Sequence, residues 1–103
     1  MGFAYVWEYE VDPARSGEFE RMYGPSGDWA ELFRLSAGYH RTELLRDRAN
    51  PHRYLTFDSW ESARAWQEWR ALVEERFAAL DLRGQELTVS ERELGRFDLR
   101  GDE

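Results

Sequence analysis

The 103-residue chain contains no cysteine, and all 14 of its basic residues are arginine. Without cysteine the protein can have no disulfide framework, no thiol nucleophile and no thiolate metal ligand. Histidine is scarce as well, with only His40 and His52 present. Neither histidine has a carboxylate partner at the spacing that a metal site needs. The sequence therefore predicts no metal centre.

Long apolar runs are also missing. No stretch approaches the length of a membrane span, and residues 1–11 lack the basic start and the small-residue cleavage site of a secretory signal. The formal net charge is -7, which disfavours nucleic acid or an anionic membrane as a partner. We therefore expect a cytoplasmic protein that binds neither nucleic acid nor membrane.

Aromatic residues are plentiful by contrast. Five Trp, five Tyr and six Phe make up 16% of the chain, and each buries a large area when it packs. These residues can supply a cooperative core despite a mean hydropathy of -0.80. A chain of this length has room for one such core. We expect a single domain over residues 1–97, followed by a flexible acidic tail over 98–103.

The first half of the chain reads as a strand, a broken helix and a second strand. Residues 3–11 alternate with period two, which indicates a strand. Asp12 and Pro13 then suit the start of a helix over about 13–23. A glycine-proline segment breaks that helix, and Asp28 restarts it with a capping-box spacing to Glu31. Gly38 ends the second piece, and residues 39–46 read as the next strand.

The second half reads as a strand, a long helix and a final strand. The composition of residues 47–51 predicts a turn. Residues 53–57 are the predicted return strand, so the two strands and the turn form a hairpin. Asp58 and Ser59 are predicted to cap a helix over about 60–80, with Arg70–Glu74 as an i,i+4 ion pair. The last strand is expected over 85–92, with a possible extension over 94–97. Apolar residues spaced three and four apart form the inward stripe of the long helix: Trp66, Trp69, Val73, Phe77 and Leu80.

This order predicts an α+β domain of ferredoxin-like βαββαβ type, a four-stranded antiparallel sheet with both helices on one face. The opposite sheet face carries Val6 together with Glu8 and Glu10, and nothing in the chain is left to cover it. A second copy is the expected cover, so the sequence predicts a homodimer.

Four segments carry a family resemblance: residues 23–33 (YGPSGDWAELF), 38–39 (GY), 42–47 (TELLRD) and 53–62 (RYLTFDSWES). In this order they resemble the antibiotic biosynthesis monooxygenase (ABM) family, over residues 3 to about 89. The resemblance implies a dimeric α+β barrel, with a pocket between sheet and helices in each protomer. It also implies, for the quinone-forming members, a reaction without metal or flavin. There the phenolic or anthrone substrate loses a proton, and the carbanion reduces oxygen directly.

The haem-degrading branch of the family uses an Asn, a Trp and a His that this chain matches only in part. The first-strand Asn position falls on Trp7, the helix Trp on Trp69, and the haem-ligating His near Ala79. Haem degradation is therefore not expected, and we expect no cofactor. The missing amide also departs from the quinone-forming members, since the one Asn of this chain is Asn50.

The candidate substrate-binding residues combine the strand and helix aromatics. Tyr5 and Trp7 face the same side of the first strand, and Trp66 and Trp69 lie on the inward helix stripe. These residues could equally be plain core, or they could form the ring walls of a pocket for a flat aromatic ligand.

Polar groups complete the candidate site. Tyr5 and Tyr54 are candidate hydroxyl donors. Arg70 is a candidate partner for an anionic substrate. The alternative interpretation is that it forms an ion pair with Glu74. His40 is the candidate catalytic base, because the ordinary pKa of histidine is near 6.5.

Two functions remain open at this point. The first is a cofactor-independent monooxygenase acting on small aromatic compounds of the phenolic or anthrone type. The second is a non-catalytic small-ligand-binding or interaction module on the same dimeric fold, since no convergent set of polar groups stands out. The fold alone does not choose between them.

Overall fold

The protein was analysed as a computed structural model that describes residues 2–101. Its strands are β1 (Phe3–Val11), β2 (Tyr39–Arg46), β3 (Arg53–Trp60) and β4 (Thr88–Asp98). Its helices are α1 (Ser16–Tyr23), α2 (Asp28–Phe33), α3 (Ala63–Leu72) and α4 (Glu74–Gln85), with a 3-10 turn at Pro13–Arg15 before α1. The strands form one antiparallel sheet in the order β2-β3-β1-β4. The predicted ferredoxin-like α+β class is confirmed.

The core lies between the helices and the sheet face formed by alternate residues of the two central strands. β1 and β3 pair so that Phe3 lies opposite Trp60, and Tyr5 opposite Asp58. The same face of each strand thus carries its large rings, as period-two alternation requires. The predicted helix stripe is also confirmed: Trp69, Val73 and Leu80 are buried, and Trp66 and Phe77 pack against the core.

The predicted cap of the second short helix is wrong. Gly27, not Asp28, is the N-cap of α2, and Asp28 makes no capping hydrogen bond. A Cβ on Gly27 would lie 2.2 Å from the carbonyl oxygen of Arg21, so the close approach of α1 requires glycine here. Asp28 instead pairs with Arg83, 3.4 Å away. Asp12 does cap as predicted, accepting from the backbone N–H of Ala14 at 3.0 Å.

The predicted boundary between β3 and the following helix is also wrong. β3 continues to Trp60, so Asp58 and Ser59 lie inside the sheet and cap nothing. The cap of α3 is Ser62, whose hydroxyl accepts from the N–H of Ala65 at 3.1 Å. The strand extends this far because both β1 and β2 continue to pair with it.

The expected long helix is interrupted at Val73, between α3 and α4, although backbone hydrogen bonds to Trp69 and from Phe77 bridge the interruption. α4 then runs past the expected end near residue 80 and includes Gly84. A Cβ at Gly84 would lie 2.0 Å from the hydroxyl of Tyr23. Glycine therefore lets α4 pack tightly against α1.

β4 begins at Thr88, includes the possible extension and ends at Asp98. Leu99 continues the contact, since its N–H donates to the carbonyl of Gly2 at 2.8 Å. Asp98, the first residue of the predicted tail, thus lies in β4, and residues 102 and 103 of that prediction lie outside the described part.

The sheet face turned away from the helices is covered by no element within residues 2–101. Val6, Leu55 and Phe57 are half-buried on this face. Glu8 lies among them and pairs with two arginines, Arg53 at 2.6 Å and Arg92 at 2.9 Å. Among the described helices, none is long and apolar enough to cross a membrane.

Candidate functional site

A cavity of about 220 Å³ opens between the sheet and the helices. It is built on the helix-facing side of β1 and β3 and closed by residues of α1 to α4 and β4. Its lining residues are Tyr5, Trp7, Tyr9, Tyr23, Trp29, Phe33, Thr42, Thr56, Asp58, Trp66, Arg70, Phe77, Asp81, Glu91, Glu93 and Arg96. Half of the lining residues are aromatic, which suits a flat apolar ligand.

Tyr5 and Trp66 form one aromatic wall, with ring centroids 5.6 Å apart. Tyr5 is 6% exposed, and burial together with the charge of Asp58 raises the pKa of its phenol well above the ordinary value. Tyr5 therefore keeps its proton. Its oxygen accepts from the indole N–H of Trp60 at 3.2 Å, which leaves the phenol proton free to be donated.

Asp58 is the carboxyl group of the cavity. It is 5% exposed, and its Oδ1 accepts a hydrogen bond from the hydroxyl of Thr42 at 2.5 Å. No arginine or histidine within residues 2–101 forms an ion pair with it. Burial raises the pKa of Asp58 to about 7, against which the Thr42 hydrogen bond acts in the lowering direction. A carboxyl of this pKa can accept and release a proton near neutral pH.

Five further charged side chains line the cavity and are half-buried or exposed: Arg70, Asp81, Glu91, Glu93 and Arg96. The guanidinium of Arg70 lies 3.7 Å from the ring centroid of Phe77. Arg96 lies over Trp66 at 4.9 Å and pairs with Glu93 at 3.0 Å. Arg70 has no carboxylate partner within the described residues, so the predicted pair with Glu74 is not formed. Its charge is available to a ligand.

Four of the predicted site residues line this cavity: Tyr5, Trp7, Trp66 and Arg70. Trp69 does not. It is 2% exposed, its indole N–H donates to the carbonyl of Leu32 at 2.8 Å, and its ring packs against Phe33 and Trp60. The structure thus places Trp69 in the core.

Tyr54 and His40 are also placed elsewhere. Tyr54 is buried opposite Tyr9 in the sheet but does not line the cavity, and its hydroxyl donates to Glu20. His40 is exposed on the edge strand β2 and does not line the cavity. The ladder explains this, because Tyr39 pairs with Trp60 and Arg41 with Ser59, which leaves His40 as the extra residue of a bulge.

Asp58, Thr42 and Thr56 are the buried polar lining residues, and sequence reasoning missed all three. A signal was available in the alternation of Tyr54, Thr56, Asp58 and Trp60, which puts all four on one strand face. The Asp-Ser pair was interpreted as a helix cap instead. Across residues 2–101, no group of three or more His, Asp or Glu side chains is arranged to hold a metal ion.

The structure resembles solved structures of this architecture over its whole length. SnoaB from Streptomyces nogalater, described as a cofactor-independent oxygenase, matches with TM-score 0.73 and 22% identity, over 98% of this chain and 95% of that chain. A conserved protein from Methanosarcina mazei matches with TM-score 0.73 and 12% identity, over 97% and 94%. A NIPSNAP family protein from Agrobacterium tumefaciens matches with TM-score 0.69 and 14% identity, over 99% and 95%. At these identities the likeness shows the fold.

No curated protein gives a significant sequence match. The sequence profile of the family described as "Antibiotic biosynthesis monooxygenase" (ABM) matches residues 3–79. This match covers most of the chain and includes β1 to β3, α3 and the cavity residues that they carry. The chain belongs to the antibiotic biosynthesis monooxygenase family.

Proposed function

We propose that the protein is a cofactor-independent monooxygenase that oxidises a small aromatic compound of the phenolic or anthrone type, with Asp58 as its general base. One observation carries the proposal: a buried carboxyl faces an aromatic cavity, has a pKa of about 7 and has no ion-pair partner among residues 2–101. An aromatic carbon acid in this cavity would have its ring against Trp7 and Trp66 and its acidic C–H toward Asp58.

The reaction divides into a proton transfer and an oxidation by O2. Asp58 accepts the proton of the substrate C–H, and the electron pair left on carbon reduces O2, one electron at a time. A C–O bond then forms, and the resulting hydroperoxide loses water to leave a carbonyl. For anthrone the balance is anthrone plus O2 giving anthraquinone plus water, and the proton held by Asp58 leaves with that water.

The other cavity residues would lower the barrier to the first step. The free phenol proton of Tyr5 can be donated to the substrate oxygen on which negative charge develops. Arg70 lies over Phe77, has no carboxylate partner in the described part of the chain and can stabilise the same enolate. The aromatic walls exclude water, which strengthens both interactions.

The proposal includes a homodimer formed through the uncovered sheet face. Val6, Leu55 and Phe57 are half-buried on this face. The side chains of Phe97 and Leu45 also lie on it and are 48% and 47% exposed. Uncovered apolar side chains of this kind, surrounded by charged groups, are typical of a protein interface. A second copy would also bury the ion pairs of Glu8.

The direct test is anthrone oxidation in air-saturated buffer at pH 7, followed by anthraquinone absorbance and by oxygen uptake. We expect one O2 consumed per anthrone. Asp58→Asn should lower kcat by about 10² to 10⁴, the usual contribution of a general base. His40→Ala is the matched control for the earlier candidate base and should retain wild-type activity.

Three outcomes count against the proposal. Equal losses in Asp58→Asn and His40→Ala would remove the base assignment. Full activity in Asp58→Asn would do the same. If wild type binds anthrone yet oxidises it no faster than buffer alone, the non-catalytic ligand-binding module is the better description of this chain.

A further inference from the structure

Three side chains form a hydrogen-bonded chain that ends at Asp58. The oxygens of Tyr39 and Thr42 are 2.7 Å apart, and the hydroxyl of Thr42 donates to Oδ1 of Asp58 at 2.5 Å. Thr42 and Asp58 are each 5% exposed, and Tyr39 is half-buried. A threonine hydroxyl has one proton. Because Thr42 gives its proton to Asp58, Tyr39 must be the donor in the first hydrogen bond.

An irregularity in the backbone of β2 allows these hydrogen bonds to form. Residues three apart on a regular strand point to opposite faces, so Tyr39 and Thr42 would normally face away from each other. Tyr39 lies opposite Trp60 and Thr42 opposite Asp58 in the ladder, so three residues of β2 match two of β3. The extra residue is His40. The bulge therefore turns both hydroxyls to the helix-facing side of the sheet.

We propose that Tyr39 and Thr42 are positioning residues, held together by the bulge at His40, that fix the orientation of the Asp58 carboxyl and favour its ionised form. Tyr39 donates its proton to the oxygen of Thr42, and Thr42 donates its own proton to Asp58. Oδ1 is thereby occupied, and Oδ2 makes no hydrogen bond to another side chain within residues 2–101. The catalytic consequence rests on the proposed function, whereas the hydrogen-bonded chain does not.

Among the groups around Asp58, Thr42 is the one that donates a side-chain hydrogen bond to its carboxyl. The titratable or charged groups that share the cavity with Asp58 come from every element around it: Tyr5 and Tyr9 of β1, Tyr23 of α1, Arg70 of α3, Asp81 of α4, and Glu91, Glu93 and Arg96 of β4. Within residues 2–101, none of these forms a hydrogen bond or ion pair with Asp58. Tyr5 lies directly opposite it on β1, but its phenol stays neutral.

The test measures the titration of Asp58 in the protein without any ligand, by NMR of its 13C-labelled carboxyl carbon. Thr42→Val removes the donor at nearly constant volume and should raise the pKa of Asp58 by about one unit. Tyr39→Phe keeps the ring and should raise it by less, because Thr42 can still donate. Thr42→Ser restores the hydroxyl and should return the titration to its wild-type midpoint.

Thr56→Val is the matched control. Thr56 is 3% exposed, lines the same cavity and precedes Asp58 by two residues on the same face of β3, yet it makes no hydrogen bond to it. This variant should leave the Asp58 midpoint unchanged. An equal shift in Thr42→Val and Thr56→Val would show a general effect of lost polarity and overturn the proposal. So would an unchanged midpoint in Thr42→Val.

The catalytic consequence has a separate readout, the pH dependence of kcat/KM with anthrone. Thr42→Val should move the midpoint of the rise by the same amount as in the NMR titration and regain the wild-type rate at high pH. A purely structural role would instead lower the rate at every pH. If wild type is inactive while the NMR titrations behave as expected, the proposed function fails and the positioning chain stands. If the titrations fail, the positioning chain is refuted whatever the activity.

Discussion

Replacing Asp58 by Asn should stabilise the fold above neutral pH while it removes the proposed base. Asn has nearly the same shape, can still accept from Thr42 and carries no charge. In wild type the carboxylate must ionise in a cavity where burial opposes the charge, so the folded protein loses stability when Asp58 ionises. The variant has no carboxyl at this position and therefore does not lose this stability. Function and stability should therefore move in opposite directions at this one position.

The magnitude follows from the pKa of Asp58 in the two states. Its ordinary value is 3.8 and burial raises it to about 7 in the folded protein, a difference of about 3 pH units. Each unit corresponds to about 1.4 kcal/mol, so the full effect is about 4 kcal/mol. Because the pKa is raised on folding, the folded state binds more protons than the unfolded state between pH 3.8 and 7. The free energy of unfolding therefore falls across this window as pH rises, and the loss is complete above pH 7.

The assay is urea unfolding of wild type and Asp58→Asn, followed by Trp fluorescence, at intervals from pH 4 to pH 9. Other carboxyls contribute to both proteins alike. Glu8, for example, has its pKa lowered by hydrogen bonds from Arg53 and Arg92 and gives the opposite trend. The difference between the two unfolding free energies isolates Asp58. It should grow from pH 4 to pH 7 in favour of the variant and then become flat. A difference that does not change with pH would refute the reasoning.

Three further predictions concern assembly, the cavity wall and helix packing. Light scattering at micromolar concentration should give about twice 12.3 kDa, and a monomer would refute the dimer through the uncovered sheet face. Trp66→Ala should weaken binding of anthrone with little loss of stability, whereas Trp69→Ala should cost about 3–5 kcal/mol of stability. If the two variants changed anthrone binding equally and stability equally, the assignment of Trp66 to the wall and Trp69 to the core would be contradicted. Gly84→Ala should destabilise by about 1–3 kcal/mol through its clash with Tyr23, and adding Tyr23→Phe should recover part of the loss in thermal unfolding.

The sequence was sufficient for the features that depend on local pattern. β1 and β2 begin and end at the predicted residues, Phe3–Val11 and Tyr39–Arg46. The stripe of the long helix was also readable from its three- and four-residue spacing. These signals depend only on near neighbours in the chain, and they were enough for the fold class.

The site was less predictable because its members are brought together by pairing between distant strands. Asp58 lies at the end of the predicted strand and precedes a serine, and this composition is also typical of a helix cap. The alternation of Tyr54, Thr56, Asp58 and Trp60 favours a continued strand, but it competes with that helix-cap signal. The residues that lie opposite Asp58 in the sheet, Tyr5 and Thr42, come from two other strands. The choice between Trp66 and Trp69 has the same origin. Both lie on the inward side of α3, and only the packing of α2 decides which one is enclosed.

His40 shows how one extra residue can misdirect a sequence argument. Strand alternation gives no warning of a bulge, so a histidine next to a predicted pocket is a reasonable candidate base. In the structure the bulge exposes His40 and turns Tyr39 and Thr42 inward together. The residue that was expected to do the chemistry instead occupies the irregular position that allows its neighbours to reach Asp58.

The strongest reason to assign a function to Asp58 is that the fold does not need it. A small domain has a total stability of about 5–15 kcal/mol, and a buried carboxylate without an ion-pair partner removes a large part of that. A structural role at this position, accepting one hydrogen bond from Thr42, could be filled by Asn without the charge. Titratable groups that are held in unfavourable surroundings concentrate at functional sites, because those surroundings bring their pKa to the working pH. The cavity, the hydrogen-bonded chain and the cost in stability thus converge on proton transfer at Asp58.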